Sequence, residues 1–364
     1  MRLKCLCKIA TLLMALAQFA GAQEVARHPD SSQPLNQSWD WAMKQSSQSQ
    51  FKKGYWIGYS IKRLMEENST IGSMHIKNGW VYRGPGKSLS ELIYGMELPL
   101  EVSTHSEEKS YRKVEKEVEI FLGFTEGRDL TKIHESTFSL SVDFKRLPLL
   151  WLGEANDEQS LVLLERLYRQ ASSSKIKEEL ISAVGLHDIS AQRRTFLAKI
   201  LAGDETAEVR KQAAFWLGQN DDPEALAILK QTAKSDRSNE VRKQAVFAMS
   251  QMHLKESEDT LIELAQNPND RDTRKEALFW LAQTAAERAV ALLKDTIQKD
   301  ADTEIQKQAI FALTLLSDHQ GIPVLIDVAK NHRNPAVRKE AIFWLGQSED
   351  SRATEALLKL VRGQ

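Results

Sequence analysis

The sequence predicts a mostly α-helical protein: a right-handed α-solenoid of stacked helix pairs, preceded by a small β-rich (α+β) N-terminal domain. Three observations predict it. Five segments repeat one pattern at a spacing of 32 residues. A second apolar register runs between them at the same spacing. Residues that favour helix starts fall ahead of each copy, again 32 apart.

The repeating segments are VRKQAAFWLGQ (209–219), VRKQAVFAMSQ (241–251), TRKEALFWLAQ (273–283), IQKQAIFALTL (305–315) and VRKEAIFWLGQ (337–347). Two weaker copies precede them, LLWLGE (149–154) and IKEELISAVGL (176–186). The second register is Leu197, Leu229, Leu261, Leu293, Leu325 and Leu357, followed three places on by Ile200, Thr232, Leu264, Thr296, Val328 and Leu360. That i, i+3 pairing is one face of a helix, here termed helix A; the conspicuous segments are helix B. Thr206, Ser238, Asp270, Asp302 and Asn334 stand where each helix B begins, and their side-chain oxygens suit an N-cap. Glu208, Glu240, Asp272 and Glu304 follow in the first turn, where the helix dipole favours negative charge. Pro335 and Pro223 occupy first helical positions. A lone helix pair cannot bury its apolar face, so neighbours must stack. The last helix, 353–362, carries Arg352, Glu355, Lys359 and Arg362 and is expected to close the array.

Ahead of the array the texture changes. Arg2, Lys4 and Lys8 precede an apolar run from Ile9 to Ala20, too short to span a bilayer, and Ala20-Gly21-Ala22 offers small residues for cleavage before Gln23. Residues 1–22 therefore have the pattern of a secretory signal peptide, and a periplasmic or secreted location is expected. Both cysteines, Cys5 and Cys7, lie inside it, so the processed chain has no thiol for a disulfide, a nucleophile or a zinc site. Losing three basic residues and no acidic one takes the formal charge from −1 to −4. Residues 23–50, rich in Ser, Gln, Asn and Pro, are expected to form a flexible leader. Residues 51–143 suggest a small β-rich domain. Trp56–Ile61, Met74–Lys77 and Trp80–Tyr82 are short and aromatic or β-branched. Val118, Ile120, Leu122 and Phe124 alternate ahead of a turn at Glu126-Gly127-Arg128, which is a hairpin signal. One helix is expected near Ser88–Tyr94, and residues 144–364 are assigned to the solenoid.

Val-Arg-x-x-Ala followed by Leu-Gly, carried here by Val209, Arg210, Ala213, Leu217 and Gly218, resembles the HEAT repeat. The 32-residue unit looks most like the short HEAT-like repeats of the phycobilin-lyase type, in the armadillo-like helical class. The resemblance covers about residues 145–364. It implies protein–protein scaffolding, and it implies a bracing role for Arg210, Arg242, Arg274 and Arg338. Gln306 departs from the pattern, which implies a weaker brace there.

Successive residues on helix B turn by about 100°. Val209, Ala213, Trp216 and Leu217 then share a core face, while Phe215, Phe247, Phe279, Phe311 and Phe343 point away from it. Lys211, Lys243, Lys275, Lys307 and Lys339 lie on the same outward side, with Gln219, Gln251, Gln283 and Gln347 one turn beyond Phe215, Phe247, Phe279 and Phe343. Two readings follow: a concave phenylalanine ladder edged by Lys and Gln that holds a partner, or rings packed between neighbouring B helices above a solvated lysine face. Trp151, Trp216, Trp280 and Trp344 alternate with Val184, Ala248 and Ala312, a pattern of large against small side chains.

Catalytic signals are poor. His28, His75, His105, His134, His187, His253, His319 and His332 show no close metal-ligand spacing. Gly84-Pro85-Gly86-Lys87-Ser88 fails the phosphate-loop pattern, because Val81 stands where its first glycine belongs, and it suggests a turn. No cofactor, metal or nucleic-acid partner is expected, and no membrane anchor after cleavage. The preferred reading is an exported scaffold for a protein or peptide partner. The alternative is a lyase-related enzyme or accessory with its site between the N-terminal domain and the solenoid.

Overall fold

A computed structural model describes residues 24–362 apart from 31, 68, 72–74, 78–79, 83–87, 96–111, 139 and 204. The signal-peptide segment, its two cysteines, His105 and the turn at 84–87 lie outside the described residues. The chain divides into two compact units, residues 1–193 and 194–364.

The first unit is a five-stranded mixed sheet with helices. Its strands are β1 (Val25–Arg27), β2 (Tyr55–Glu66), β5 (Lys113–Phe124), β6 (Leu130–Thr137) and β7 (Leu149–Glu154), in the order β1-β7-β2-β5-β6. β3 (His75–Lys77) and β4 (Trp80–Tyr82) form a separate antiparallel pair. The helices are α1 (Leu35–Gln45), α2 (Leu89–Tyr94), α3 (Asp157–Gln170) and α4 (Ser174–Gly185). β2 and β5 pair antiparallel from Tyr55↔Phe124 to Glu66↔Lys113, and β5 turns into β6 as the alternation predicts. Because strand side chains alternate, the sheet has two apolar faces. One carries Trp56, Phe121, Leu149 and Trp151, packed with Phe138, Phe144 and the buried Leu89 and Ile93 of α2. The other carries Tyr55, Ile57, Tyr59, Ile61, Ile120, Leu122 and Phe124, all buried. Gly58 lets the first face close, since a Cβ there would lie 2.6 Å from the Phe121 ring.

Two expectations are corrected here. The described residues of the 23–50 stretch are not a flexible leader. Val25–Arg27 pairs in parallel with β7, and α1 buries Leu35, Trp39 and Ala42, with the Trp39 ring 6.0 Å from Phe124. Three apolar side chains on one helical face outweigh the polar composition around them. Likewise LLWLGE (149–154) is not a helical repeat copy but β7, inserted between β1 and β2, so the solenoid does not begin at 144. A fully apolar run with polar flanks suits a strand buried on both faces, and its likeness to the helix-B segments is one of composition. Trp151 accordingly sits in the sheet core, outside the tryptophan series of the helices.

The second unit is the helical array. Its A helices are α5 (Ala191–Ala202), α7 (Pro223–Ser235), α9 (Lys255–Gln266), α11 (Ala286–Lys299), α13 (Ile322–Asn331) and α15 (Ser351–Val361). Its B helices are α6 (Ala207–Leu217), α8 (Asn239–Ser250), α10 (Arg271–Thr284), α12 (Thr303–Thr314) and α14 (Pro335–Gly346). Thr206, Asp270, Asp302 and Asn334 each accept a backbone N–H as caps. Ser238 occupies the same position, but its side chain makes no cap bond; Asp236 instead accepts the Ser238 N–H at 2.7 Å. Val209, Val241, Ile305 and Val337 and the alanines four places on (213, 245, 309 and 341) are fully buried. So are Leu229, Leu293 and Leu325 from the A helices.

Successive B helices pack directly, α6 on α8, α8 on α10, α10 on α12 and α12 on α14, whereas successive A helices scarcely touch. Helices that close up on one side and splay on the other make the B side the inner side of the stack. Gly218 permits the tightest approach: a Cβ there would sit 2.4 Å from the Ala248 carbonyl oxygen. The last repeat is not closed as expected. Ile342, whose equivalents Val246, Leu278 and Ile310 are fully buried, is 41% exposed, and α15 exposes Leu358 and Val361.

Candidate functional site

The five phenylalanines are neither free anchors nor buried core. Phe215, Phe247, Phe279 and Phe311 are half-buried, and Phe343 is 55% exposed. Phe215 stacks on Phe247 with centroids 6.4 Å apart and planes 11° from parallel; Phe279 stacks on Phe311 at 6.2 Å and 17°. The tryptophans join these pairs. Trp280 lies 4.8 Å from Phe247 and 4.9 Å from Phe279, and Trp344 lies 5.1 Å from Phe311 and 5.2 Å from Phe343. With Trp216 against Phe215 at 5.3 Å, eight rings make one continuous strip along the B helices.

The 64-residue tryptophan period thus has a physical role. Where the B helix carries Ala248 or Ala312, that alanine is fully buried in the seam. Trp216, Trp280 and Trp344 stand at the same register and are only partly buried; Trp280 bridges one stacked phenylalanine pair to the next, and Trp344 joins Phe311 to Phe343. This corrects the assignment of Trp216 to the core face; Ala214 is the buried residue instead. Trp280 and Trp344 each donate their indole N–H to a carboxylate one turn back, Glu276 at 2.7 Å and Glu340 at 2.9 Å. At Trp344 the strip borders a cavity of about 330 Å³, walled also by Leu313, Thr314 and Gln347.

Gln219, Gln251, Gln283 and Gln347 are exposed along the strip. The lysines are mostly engaged within their own helix: Lys211 with Glu208, Lys243 with Glu240 and Lys307 with Glu304, at 3.0, 3.4 and 3.0 Å. Such i, i+3 pairs at the surface contribute a few tenths of a kcal/mol and leave little net charge to attract a ligand. Lys275 and Lys339 make no such pair within their helix, and Lys339 is exposed.

A brace links successive repeats. Arg210 reaches Asp236, Arg242 reaches Asp270 and Arg274 reaches Asp300, each carboxylate belonging to the loop before the next B helix. At the departing position Gln306 donates to the Ile297 carbonyl at 2.9 Å, as Arg274 donates to the equivalent Ala265 carbonyl. The carboxylate's place is taken by His332, also bonded to Ile297. This rung is neutral but complete.

The first unit holds a polar cluster that no spacing in the sequence announces. Tyr59 Oη lies 2.8 Å from Ser160 Oγ, which lies 2.7 Å from His187 Nε2, and His187 Nδ1 lies 2.9 Å from the Ala183 carbonyl. The carbonyl only accepts, so the protons run Tyr59 to Ser160 to His187 to Ala183, with a neutral imidazole. Burial, reinforced by the nearby Arg63 charge, lowers the His187 pKa to about 4, and burial raises that of Tyr59. Ser160 is fully enclosed, so the serine–histidine pair fastens β2, α3 and α4 together rather than presenting a nucleophile. On the opposite face, both carboxylate oxygens of the fully buried Glu119 are without a hydrogen-bond partner, and burial holds its pKa well above the usual range. Burial likewise raises Glu135 to about 7. Among the described residues no group of His, Cys, Asp and Glu is placed to hold a metal ion, and no helix is long and apolar enough to cross a membrane.

Comparison with known proteins bears on the second unit. No curated protein matches the sequence. Similar solved structures include the complex of CpcE and CpcF of phycocyanin lyase from Nostoc (18% identity, 42% of this chain and 97% of that one, TM-score 0.33) and human deoxyhypusine hydroxylase with glycerol (18%, 55% and 84%, TM-score 0.24). Another is YibA of Escherichia coli (21%, 56% and 82%, TM-score 0.33). These superpositions are loose and carry no argument about function. The family model for HEAT repeats matches residues 195–282 and 290–364. With the helix-pair register and the arginine brace in place, the second unit of this chain is an array of HEAT repeats.

Proposed function

We propose that this protein is an exported, non-catalytic interaction scaffold that holds a protein or peptide partner on the B-helix side of its HEAT array. One observation carries the reading: eight aromatic rings, seven partly buried and Phe343 exposed, run unbroken across five repeats, bordered by exposed glutamine amides. Aromatic surface of that extent contributes more to association than to a fold whose core is already filled by Val, Ala and Leu. The rings lose little conformational entropy on binding because they already brace one another. The amides supply donors and acceptors for a partner's backbone.

The test is affinity capture from a cell-envelope extract, comparing the full chain with a variant carrying Gln251→Lys, Gln283→Lys and Phe343→Asp. These side chains are exposed, so the fold is expected to survive. Loss of the captured partner supports the strip as the binding surface; retention at full yield removes it. Export is checked separately by the mass of the secreted chain, which should begin at Gln23; a secreted chain still beginning at Met1 refutes cleavage there.

A further inference from the structure

If the aromatic strip is a binding surface, its own geometry restricts what can lie on it. The rings do not make a flat sheet. The phenylalanines stack in near-parallel pairs, while Trp216, Trp280 and Trp344 stand at 79°, 87° and 80° to the phenylalanine of the same helix. The surface is therefore ribbed. It repeats once per B helix and presents an indole on every second one.

Charge selects against an ionic occupant. Each lysine along the strip has a carboxylate in its own repeat. At Lys211, Lys243 and Lys307 the two are paired, and beside Trp280 and Trp344 the carboxylate accepts the indole N–H. With both signs present in every repeat, a charged segment gains no net attraction here.

Spacing selects the backbone. Helices in direct contact lie about 8–10 Å apart, axis to axis, and the B helices pack directly on one another, with Gly218 close against the Ala248 backbone. A segment running along the strip must then present a like face at that interval. A polyproline II helix has three residues per turn and so returns the same face about every 9 Å. A β-strand turns its third residue to the opposite side, because its side chains alternate. An α-helix bonds its own carbonyls and leaves none for the amides at the edge of the strip.

Those amides complete the match. Gln251, Gln283 and Gln347 are exposed. Gln251 gives one N–H to Ser250 Oγ at 3.1 Å, and a side-chain amide has two to give. A polyproline II backbone bonds none of its carbonyls internally, and its prolines have no N–H that needs an acceptor. Proline rings pack on aromatic side chains, and the preformed helix loses little entropy on docking.

We infer that the strip takes an uncharged, proline-rich segment of a partner protein in the polyproline II conformation, laid across the B helices with about three residues per repeat and its carbonyls on the glutamine edge. This rests on the strip being the binding surface of the scaffold.

The probe is a capped twelve-residue proline peptide, which spans about four repeats, titrated into the full chain by calorimetry and by tryptophan fluorescence. Saturable binding of one peptide per chain is expected. A six-residue proline peptide should bind clearly more weakly, and a capped glycine–serine peptide of twelve residues should not bind. Gln251→Leu with Gln283→Leu removes two donors at exposed positions and should weaken the proline peptide about tenfold, with the circular dichroism spectrum unchanged. Absence of saturable binding, equal binding of the glycine–serine peptide, or undiminished affinity in the leucine variant overturns the inference. The scaffold reading fails separately: it stands if the parent captures an envelope partner that the Gln251→Lys, Gln283→Lys, Phe343→Asp variant loses, even when the proline peptide does not bind.

Discussion

Arg210 and Asp236, twenty-six residues apart, meet through two hydrogen bonds of 2.8 Å each, one from Nε and one from Nη2. The arginine opens one B helix and the aspartate lies in the loop before the next, so the pair spans two repeats. Both side chains are nearly enclosed. Removing one partner leaves a buried charge uncompensated, which costs about 3–5 kcal/mol. Arg210→Ala and Asp236→Ala should each lower the denaturant midpoint by that order, and the double variant should cost clearly less than their sum. Additive costs in the double-mutant cycle would show that the pair does not couple the repeats.

The neutral rung at Gln306 and His332 allows a converse experiment. Arg274 and Asp300 stand 32 residues earlier at the same two positions. Gln306→Arg alone puts a guanidinium opposite an imidazole and should destabilise by about 1–3 kcal/mol. Adding His332→Asp should restore most of the loss. If the double variant is no more stable than Gln306→Arg, the two positions do not form one rung.

Gly218 and Gly346 occupy the same register, yet only Gly218 faces a following B helix. Gly218→Ala drives a methyl into the Ala248 backbone and should cost about 1–3 kcal/mol. At Gly346 a Cβ meets nothing within 4 Å, so Gly346→Ala should be neutral or stabilise by up to about 1 kcal/mol through helix propensity. Thermal melts of the two variants suffice, and equal shifts would contradict the packing difference.

The neutral His187 makes stability fall in acid. Its folded pKa, about 4, lies below the ordinary 6.5, so the unfolded chain binds the extra proton first. The contribution is therefore full above pH 6.5, is lost progressively as the pH falls toward 4, and amounts to about 3 kcal/mol. Glu135 acts in the opposite sense, because a pKa raised to about 7 costs stability as the pH rises from 4.5 to 7. Comparing the pH dependence of the parent with His187→Gln isolates the histidine. An unchanged slope between pH 4 and 6.5 would remove it as the cause.

Much of this protein was legible in the chain because repeats make their own test. A 32-residue register that recurs in apolar positions, caps and first-turn acids can be satisfied only by stacked helix pairs, and the helices fall where those positions put them. The hairpin of β5 and β6 was legible too, since alternation and a glycine turn are local signals. Legibility failed where the partner lies far away in sequence. Residues 25–27 are a strand only because β7 offers an edge, and α1 holds only because its few apolar side chains find a sheet to cover. The buried Tyr59–Ser160–His187 chain joins three elements that no spacing connects.

The sequence by itself determined the repeat, its two helices and their capped ends, because those depend on periodicity and on backbone chemistry within a few residues. Only the tertiary structure decided that Arg210, Arg242 and Arg274 brace the next repeat and that Trp280 bridges two stacked phenylalanine pairs. Each of these depends on where side chains from different helices meet, and that is set by packing rather than by any local pattern.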